Sequence, residues 1–378
     1  MQRSKLSLLV VIALVACVVV GIAAYNIGSN SAMKSISESV AKDDEIGIAI
    51  NRSDLENLSL VDGPIYVTGH KSPDADTVCS SIAYARLLNA LGYDAQPVVA
   101  GRINNETAYI LESAGVEAPE QLEDASGCNM VLVDHSEYTH SVEGISDANI
   151  ITIIDHHNDG AVTTGNQLVY DARPLGATAS IVWVRYYNYG VPVDEQTAKL
   201  LFGAVLSDTK NLTSNTVTTA DRKAVEMLGS LAGVQDPDAY YQDMFKASLS
   251  YEGMTDTEIF ENDVKTYESA GTRFAITSIE AYDEQAAKDL AARMKAVMPA
   301  ETTALGVDMA FAQISILHDD ISLSYIVPSS DAAAEVVKMS FGDKAQFDGT
   351  SYVLNPGVSR KAVLVPAFTD VLAMHPSE

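Results

Sequence analysis

The first 62 residues join one long apolar run to a polar segment. Leu6 to Ala24 is a run of 19 residues without a charge, Arg3 and Lys5 precede it, and the segment after it is rich in Ser, Asn, Asp and Glu. A run of this length can cross a bilayer as a helix, and bases before it favour a cytoplasmic N-terminus. We therefore predict a signal anchor or signal peptide over residues 1–25 and a polar stalk over residues 26–62.

Three interpretations of the apolar run stay open. A single-pass membrane anchor, with the rest of the chain outside the cytoplasm, fits its length best. A cleaved signal peptide would use the small residues of Ile22-Ala23-Ala24, and a lipoprotein signal would be modified at Cys17. The alternative locations are the cytoplasmic face of the membrane and secretion after cleavage.

From Pro64 onward, short apolar runs alternate with helical periodicity. The pattern predicts strands at 65–68, 95–99, 130–133 and 150–154, and helices at 77–91, 106–114, 178–188 and 195–207. The third and fourth strands are apolar throughout, which is typical of parallel strands that are buried on both faces. An α/β fold is expected, with an N-terminal doubly wound, mainly parallel sheet.

A stretch rich in Ser, Gly and Tyr interrupts this pattern near residues 248–254. Beyond it we predict a helix to about residue 267, strands at 273–278, 310–317 and 322–327, and helices at 284–297 and 332–341. This order indicates a second, smaller, mixed α/β domain. The predicted domains are therefore residues 63–250 and residues 251–378.

The charge and the cysteines limit the classes of function. The net charge is −27, and such a surface repels nucleic acid, so no nucleic-acid partner is expected. An anionic substrate would need metal ions or a tight cluster of Lys and Arg. Cys17, Cys79 and Cys128 lie far apart, so they predict neither a disulfide framework nor a zinc ribbon.

Carboxylate and imidazole side chains gather where predicted strands and one helix end. The residues are His70, Asp74, Asp76, Asp134, His135, Asp155, His156, His157 and Asp208. In open α/β sheets, sites form at the carboxyl edge of the strands. Mixed oxygen and nitrogen ligands suit Mn²⁺, Co²⁺, Fe²⁺ or Zn²⁺ better than Mg²⁺ or Ca²⁺. Two metals roughly 3.5–4 Å apart would neutralise the carboxylates, bridge a water and lower its pKa.

Four segments resemble, in order, the motifs of the DHH phosphoesterase superfamily. They are Gly69-His70-Lys71-Ser72-Pro73-Asp74-Ala75-Asp76, Val133-Asp134-His135, Asp155-His156-His157 and Leu206-Ser207-Asp208-Thr209. Gly357-Val358-Ser359-Arg360-Lys361 resembles the signature of one branch, the family II inorganic pyrophosphatases of the manganese or cobalt type. The resemblance covers residues 64 to about 373 and includes Gly176-Ala177-Thr178-Ala179.

The resemblance implies a DHH metal-binding catalytic domain and a DHHA2-like domain that clamps the substrate. Two Mn²⁺ or Co²⁺ ions would be bound in each active site, and additional Mg²⁺ would arrive with pyrophosphate. His70 and Asp74 would hold the first metal, and Asp134 would bridge both. The second metal would be held by Asp76, His156 and Asp208.

The resemblance also implies the reaction, in which a hydroxide that bridges two metals hydrolyses pyrophosphate to two phosphates. His157 would face the substrate and help to protonate the leaving phosphate. Lys265, Arg360 and Lys361 would bind phosphoryl groups, with bidentate contact from Arg360 and a point charge from each lysine. A homodimer is left open.

Two other classes of function compete with this interpretation. The first is another DHH phosphoesterase, either an exopolyphosphatase or a phosphodiesterase for short oligonucleotides or cyclic dinucleotides. A Gly-Gly-Gly-His run would favour the nucleotide branch, and the sequence contains none. The second is a tethered, non-enzymatic module that binds phosphate or metal.

Overall fold

The computed structural model describes residue 42 and residues 44–158, 160–316 and 322–375. The chain divides between Tyr241 and Gln242 into two compact units, where the sequence predicted a boundary near residue 250. Each unit has a six-stranded sheet and buried apolar clusters of its own.

The predicted membrane-anchored, extracytoplasmic location is wrong for the part of the chain that the structure describes. None of the helices there combines the length and the apolar character that crossing a bilayer requires. The apolar run from Leu6 to Ala24, on which the prediction depended, lies outside the described residues.

The first unit contains a sheet in which every strand pairing is parallel, in the order β3-β2-β1-β4-β5-β6. The strands are β1 (Ile65–Thr68), β2 (Ala95–Val99), β3 (Glu120–Gln121), β4 (Asn129–Val133), β5 (Asn149–Asp155) and β6 (Val169–Ala172). All residues of β4 and β5 are buried, as their apolar runs predicted. The strand order reverses between β1 and β4, which is the position where open α/β sheets bind ligands.

Helices connect and cover these strands. They are α1 (Ala75–Ala90), α2 (Asn105–Ala114), α3 (Thr178–Asn188), α4 (Glu195–Asp208), α5 (Thr219–Leu231) and α6 (Pro237–Ser248), with 3₁₀ turns at Ser53–Leu55, Tyr138–His140 and Ile145–Asp147. Helix α6 crosses the division between the units. The side chain of Asp74 caps α1 by accepting the amide of Thr77 at 3.0 Å. This cap satisfies an amide that has no partner within the helix, and it fixes the position of a predicted metal ligand.

Residues 44–62 of the predicted stalk lie against the first unit. Residues 44–52 are helical, and Leu55 is buried. Arg52 Nε donates to the carbonyl of Tyr189 at 2.8 Å, and the hydroxyl of Tyr93 donates to the carbonyl of Leu55 at 2.8 Å. Buried apolar surface and these hydrogen bonds hold the segment on the domain.

The second unit contains a mixed sheet in the order β11-β12-β10-β9-β8-β7, in which only the β8–β9 pairing is parallel among the described strands. The strands are β7 (Val264–Ser269), β8 (Thr272–Ala281), β9 (Met309–Ile316), β10 (Ser324–Pro328), β11 (Ala345–Phe347) and β12 (Tyr352–Leu354). The helices are α7 (Asp256–Glu261), α8 (Glu284–Ala304), α9 (Asp331–Phe341) and α10 (Val365–Met374), with a 3₁₀ turn at Gly342–Lys344 and a π-helical turn at Arg360–Leu364. The mixed α/β character predicted for this unit is confirmed.

The helix predicted to run to about residue 267 is wrong in its second half. Helix α7 ends at Glu261, and Val264–Ser269 is strand β7, which pairs with β8 in antiparallel register. Thr266 and Tyr267 favour a strand, and Ala270-Gly271, both at positive φ, make the hairpin turn. Lys265 therefore lies on an edge strand and not on a helix surface.

Candidate metal centre and phosphate-binding cluster

The carboxyl ends of β1, β4 and β5 bring most of the predicted ligands to one edge of the first sheet. His70 follows β1, Asp134 follows β4, and Asp155 is the last residue of β5. Asp134 has a left-handed backbone conformation with a φ of 64°, and its amide donates to the carbonyl of Ile154 at 2.8 Å. This conformation is uncommon for a residue with a side chain and occurs preferentially at functional sites.

The first group of ligand atoms joins His70, Asp74 and Asp134. Their ligand atoms lie within 4.8 Å of one another. The Nε2 atom of His70 is 3.4 Å from Oδ2 of Asp74 and 3.5 Å from Oδ2 of Asp134. One imidazole nitrogen and two carboxylate oxygens therefore converge on a volume that could hold one cation.

The second group joins Asp76, Asp134, His156 and Asp208, again within 4.8 Å. The Nε2 atom of His156 is 3.4 Å from Oδ1 of Asp134 and 3.2 Å from Oδ2 of Asp208. Asp134 thus contributes one oxygen to each group. All six residues predicted as metal ligands are brought together, and the shared carboxylate has the geometry that a bridge between two cations requires.

The hydrogen bonding of His156 indicates that a cation fits the second group. Its Nδ1 atom lies 3.1 Å from the carbonyl of Leu175, so Nδ1–H donates there and, in the neutral ring, Nε2 carries a lone pair. Nε2 is buried and has no hydrogen-bond partner, although two carboxylates face it. A lone pair buried against carboxylate oxygens is repulsive, and a divalent metal would convert the repulsion into ligation.

Burial and charge crowding shift the pKa values of several residues in the cluster. Burial, together with the charges of Asp134 and Asp74, raises the pKa of Asp208 to about 7. Burial lowers the pKa of each histidine, but the nearby carboxylates, above all Asp134, outweigh it and raise the pKa of His70 to about 10 and that of His156 to about 9. Burial opposes the ionisation of Asp134, yet the two histidines hold its pKa well below the usual range. Without metal, protons take the place of cations.

Four donors that orient the carboxylates were not predicted as site residues. The amides of Thr178 and Ala179 donate to the two oxygens of Asp76 at 2.6 and 2.8 Å. The hydroxyls of Thr178 and Thr77 donate to the two oxygens of Asp134 at 3.0 and 2.8 Å. Asp76 is therefore bound at the N-terminus of α3, where free amides and the helix dipole favour a negative charge.

A second buried carboxylate holds the loop that carries these donors. Asp221 accepts the amide of Gly176 at 2.9 Å and the hydroxyl of Ser180 at 2.6 Å. A Cβ atom at residue 176 would lie 2.7 Å from the Cγ2 atom of Thr209 and 2.9 Å from the carboxylate of Asp221. Close packing therefore requires glycine at this position. In the sequence, only the resemblance drew attention to Gly176.

His157 is held by Asp155, whose role was also missed. One oxygen of Asp155 accepts both the amide and Nδ1–H of His157 at 3.0 Å, and the other accepts the hydroxyl of Ser136 at 2.9 Å. The side chain of His157 is 56% exposed and lines a cavity of about 450 Å³ that also borders His70 and Asp134. Because Nδ1 is bound, Nε2 is the nitrogen available to a ligand.

Two of the three predicted phosphate-binding residues of the second unit, Arg360 and Lys265, lie beside Asp263. Nη2 of Arg360 lies 2.9 Å from both carboxylate oxygens of Asp263, and Nη1 donates to the carbonyls of Asp263 and Ile276. Nζ of Lys265 is 4.0 Å from Oδ1 of Asp263. Lys361 is exposed and lies in the first turn of a helical segment that Ser359 caps by accepting the amide of Ala362. The guanidinium of Arg360, which was predicted to bind a phosphoryl group, is thus paired with a carboxylate.

Comparison with known families agrees with the division into two units. Residues 64–205 match the model of the DHH family, N-terminal domain. Residues 242–371 match the model of the DHHA2 domain. Together, the two matched segments span more than half of the chain.

Individual relatives belong to one family of enzymes. The chain is 35% identical, over 80% of its length, to 96% of the manganese-dependent inorganic pyrophosphatase of Methanothrix thermoacetophila. It is 31% identical, over 82% of its length, to 99% of the manganese-dependent inorganic pyrophosphatase of Bacillus subtilis. A crystal structure from Methanococcus jannaschii, assigned to the family II inorganic pyrophosphatases, aligns with a TM-score of 0.50 at 28% identity, over 81% of this chain and 98% of that one. The chain therefore belongs to the manganese-dependent inorganic pyrophosphatase family of the DHH superfamily and carries a DHH domain followed by a DHHA2 domain.

Proposed function

We propose that this protein hydrolyses inorganic pyrophosphate to two phosphates with the help of bound manganese. One observation carries the proposal: six candidate ligands form two groups that share Asp134. The names of the relatives support manganese as the metal and pyrophosphate as the substrate. The protein is thus a hydrolase that acts on a phosphoanhydride bond.

Two Mn²⁺ or Co²⁺ ions would be held by the two groups. His70 and Asp74 would bind one ion, Asp134 would serve both, and the remaining ligands of the second ion would be Asp76, His156 and Asp208. When bound, such ions neutralise the carboxylates and make a water molecule acidic enough to attack at neutral pH. Additional Mg²⁺ would accompany pyrophosphate, whose charge it would partly neutralise.

The protein's own part in the chemistry begins with His157. The hydrogen bond to Asp155 raises the pKa of His157, which favours the protonated ring. With Nδ1–H bound to Asp155, Nε2–H is the proton that can be given to the oxygen of the leaving phosphate. Asp155 thereby orients the ring and stabilises its positive charge, as the carboxylate does in hydrolytic triads.

The positively charged side chains of the second unit would recognise phosphoryl oxygens. Lys265 and Lys361 are exposed and can approach an anion as point charges, whereas Arg360 is only 12% exposed and already engaged. A protein with a net charge of −27 needs such a local cluster to bind an anion. We therefore assign phosphate binding to these three residues.

The test is a phosphate-release assay on the purified protein. Pyrophosphate, tripolyphosphate and a dinucleotide are compared after loading with Mn²⁺, Co²⁺ or Mg²⁺, and Asp134→Asn is the matched inactive variant. We expect pyrophosphate with Mn²⁺ or Co²⁺ to be fastest, and Asp134→Asn to lose metal and at least roughly 100-fold of the activity. Faster cleavage of tripolyphosphate or of the dinucleotide would assign the enzyme to another branch of the superfamily.

A further inference from the structure

We propose that Asp263 is an internal anion that occupies the phosphate-binding guanidinium of Arg360 and is exchanged for phosphoryl oxygens when phosphate binds. Asp263 would then set how tightly the cluster retains phosphate. The proposal rests on the phosphate-binding role proposed above for Lys265, Arg360 and Lys361. All of these residues lie within the second unit.

The guanidinium of Arg360 has one fixed side and one exchangeable side. Nη1 donates to two backbone carbonyls, those of Ile276 in β8 and of Asp263, the residue before β7. Among the described residues, Nη2 meets only the carboxylate of Asp263, which is 44% exposed. Backbone carbonyls cannot leave without breaking the fold, whereas a half-exposed carboxylate can turn into water at little cost.

The backbone that carries Arg360 is held independently of Asp263. The carbonyl of Val358 accepts Nε2 of Gln313, and the amide of Val358 donates to the hydroxyl of Ser324 at 3.0 Å. Ser359 caps the helical segment that begins at Arg360. Arg360 is therefore expected to stay in place when the carboxylate of Asp263 turns away.

The geometry around the exchangeable side suits a phosphoryl group. Lys265 approaches the same carboxylate at 4.0 Å, and Lys361 neighbours Arg360 in the first turn of the helical segment. No partner for Nζ of Lys361 lies among the described residues. An oxyanion in place of the carboxylate would keep the pairing with Nη2 and could add contacts to both lysines, because phosphate offers more oxygens.

The electrostatic consequence is a moderated affinity for phosphate. Three cations without a carboxylate would bind the product phosphate tightly and release it slowly, and product release often limits turnover. Asp263 cancels one of the three charges and keeps the guanidinium paired when no phosphate is present. It is thus a residue that determines affinity, and it is not required to contact the reacting atoms.

The test measures binding of inorganic phosphate to the full-length, Mn²⁺-loaded protein by isothermal titration calorimetry. Asp263→Asn keeps the shape of the side chain and removes its charge, so we expect the Kd for phosphate to fall roughly tenfold. Inhibition of pyrophosphate hydrolysis by added phosphate should become stronger by a similar factor. Asp263→Ala is the second variant and should change the Kd in the same direction.

Asp256→Asn is the matched control. Asp256 pairs with Arg293 at 2.6 Å in the same unit, and its side chain is 39% exposed, but it belongs to a different Asp–Arg pair. Its removal should leave phosphate binding unchanged. Metal content and the thermal melting temperature, measured for every variant, show whether each has folded.

The outcomes separate this proposal from the proposed function. Weaker or equal phosphate binding by Asp263→Asn, or no binding by either protein, would overturn the exchange and leave Asp263 as a residue that positions Arg360. Failure of the wild type to hydrolyse pyrophosphate would refute the proposed function instead. Because the calorimetry needs no turnover, the order of the phosphate affinities still decides the role of Asp263 in that case.

Discussion

The Nε2 atom of His156 lies 3.2 Å from Oδ2 of Asp208, and Nδ1 on the far side of the ring donates to the carbonyl of Leu175. Burial and neighbouring charges raise the pKa of Asp208 to about 7, and the pairing with Asp134 raises that of His156 to about 9. The pair therefore holds a proton in the absence of metal. Any metal that takes this position has to displace that proton.

We predict that Mn²⁺ binding releases protons and weakens as the pH falls. At pH 7 the rings of His70 and His156, with pKa values of about 10 and about 9, are protonated in the metal-free protein and must become neutral to ligate. At least two protons should leave per chain, because the raised pKa values of Asp208 and Asp76 add carboxyl protons to those of the two imidazoles. Calorimetry in buffers of different ionisation enthalpy measures the number. His375→Asn should not change this number, and binding without proton release would contradict the assignment.

A second prediction concerns the hydroxyl of Thr178, which donates to Oδ1 of Asp134 at 3.0 Å. Thr178→Val keeps the shape of the side chain but leaves that oxygen without its donor. Because donors around a ligand orient it, Mn²⁺ affinity should fall roughly 10- to 100-fold. A metal titration measures the change, with Thr303→Val on the exposed face of α8 as the control. An unchanged affinity would show that Asp134 does not need this donor.

The sequence was sufficient for most of the first sheet and for the placement of its ligands. The apolar runs of β4 and β5 predicted buried parallel strands, and the acids that follow them therefore had to share one edge. Both the strand pattern and the order of the parallel strands can be inferred from the order of apolar runs and helices in the sequence. For this reason Asp134 and His156, 22 positions apart in the sequence, were expected together.

The rest depends on contacts between residues that no local pattern connects. The pairing of Asp76 with the amides of Thr178 and Ala179 spans about a hundred positions. Because almost every residue has a backbone amide, the sequence does not show which amides act as donors. The predicted helix to about residue 267 included Lys265. The segment is instead a strand because it pairs with β8, which follows the hairpin turn. The pairing of Arg360 with Asp263 spans 97 positions, so a predicted phosphate ligand was found bound to a carboxylate.

A third prediction separates proton transfer from metal binding. His157→Gln removes the acid but none of the six predicted metal ligands, so kcat should fall roughly 10²- to 10⁴-fold with Mn²⁺ content unchanged. Asp155→Asn should lower kcat less, since the ring is then present but poorly oriented. Steady-state kinetics and metal analysis of the two variants test this order. A loss of metal in His157→Gln would mean that His157 is itself a ligand, as its proximity to Asp134 and His156 allows.

The last prediction concerns Lys361, which is exposed, and for whose Nζ atom the described residues offer no partner. Lys361→Ala should raise the KM for pyrophosphate roughly tenfold, because a charge-assisted contact to a phosphoryl oxygen is lost in the bound complex. Mn²⁺ content should not change, since Lys361 belongs to none of the candidate ligand groups. Lys344→Ala removes another exposed lysine of the same unit and controls for net charge. If both variants raise KM equally, the effect comes from the field of the whole protein, and Lys361 makes no specific contact.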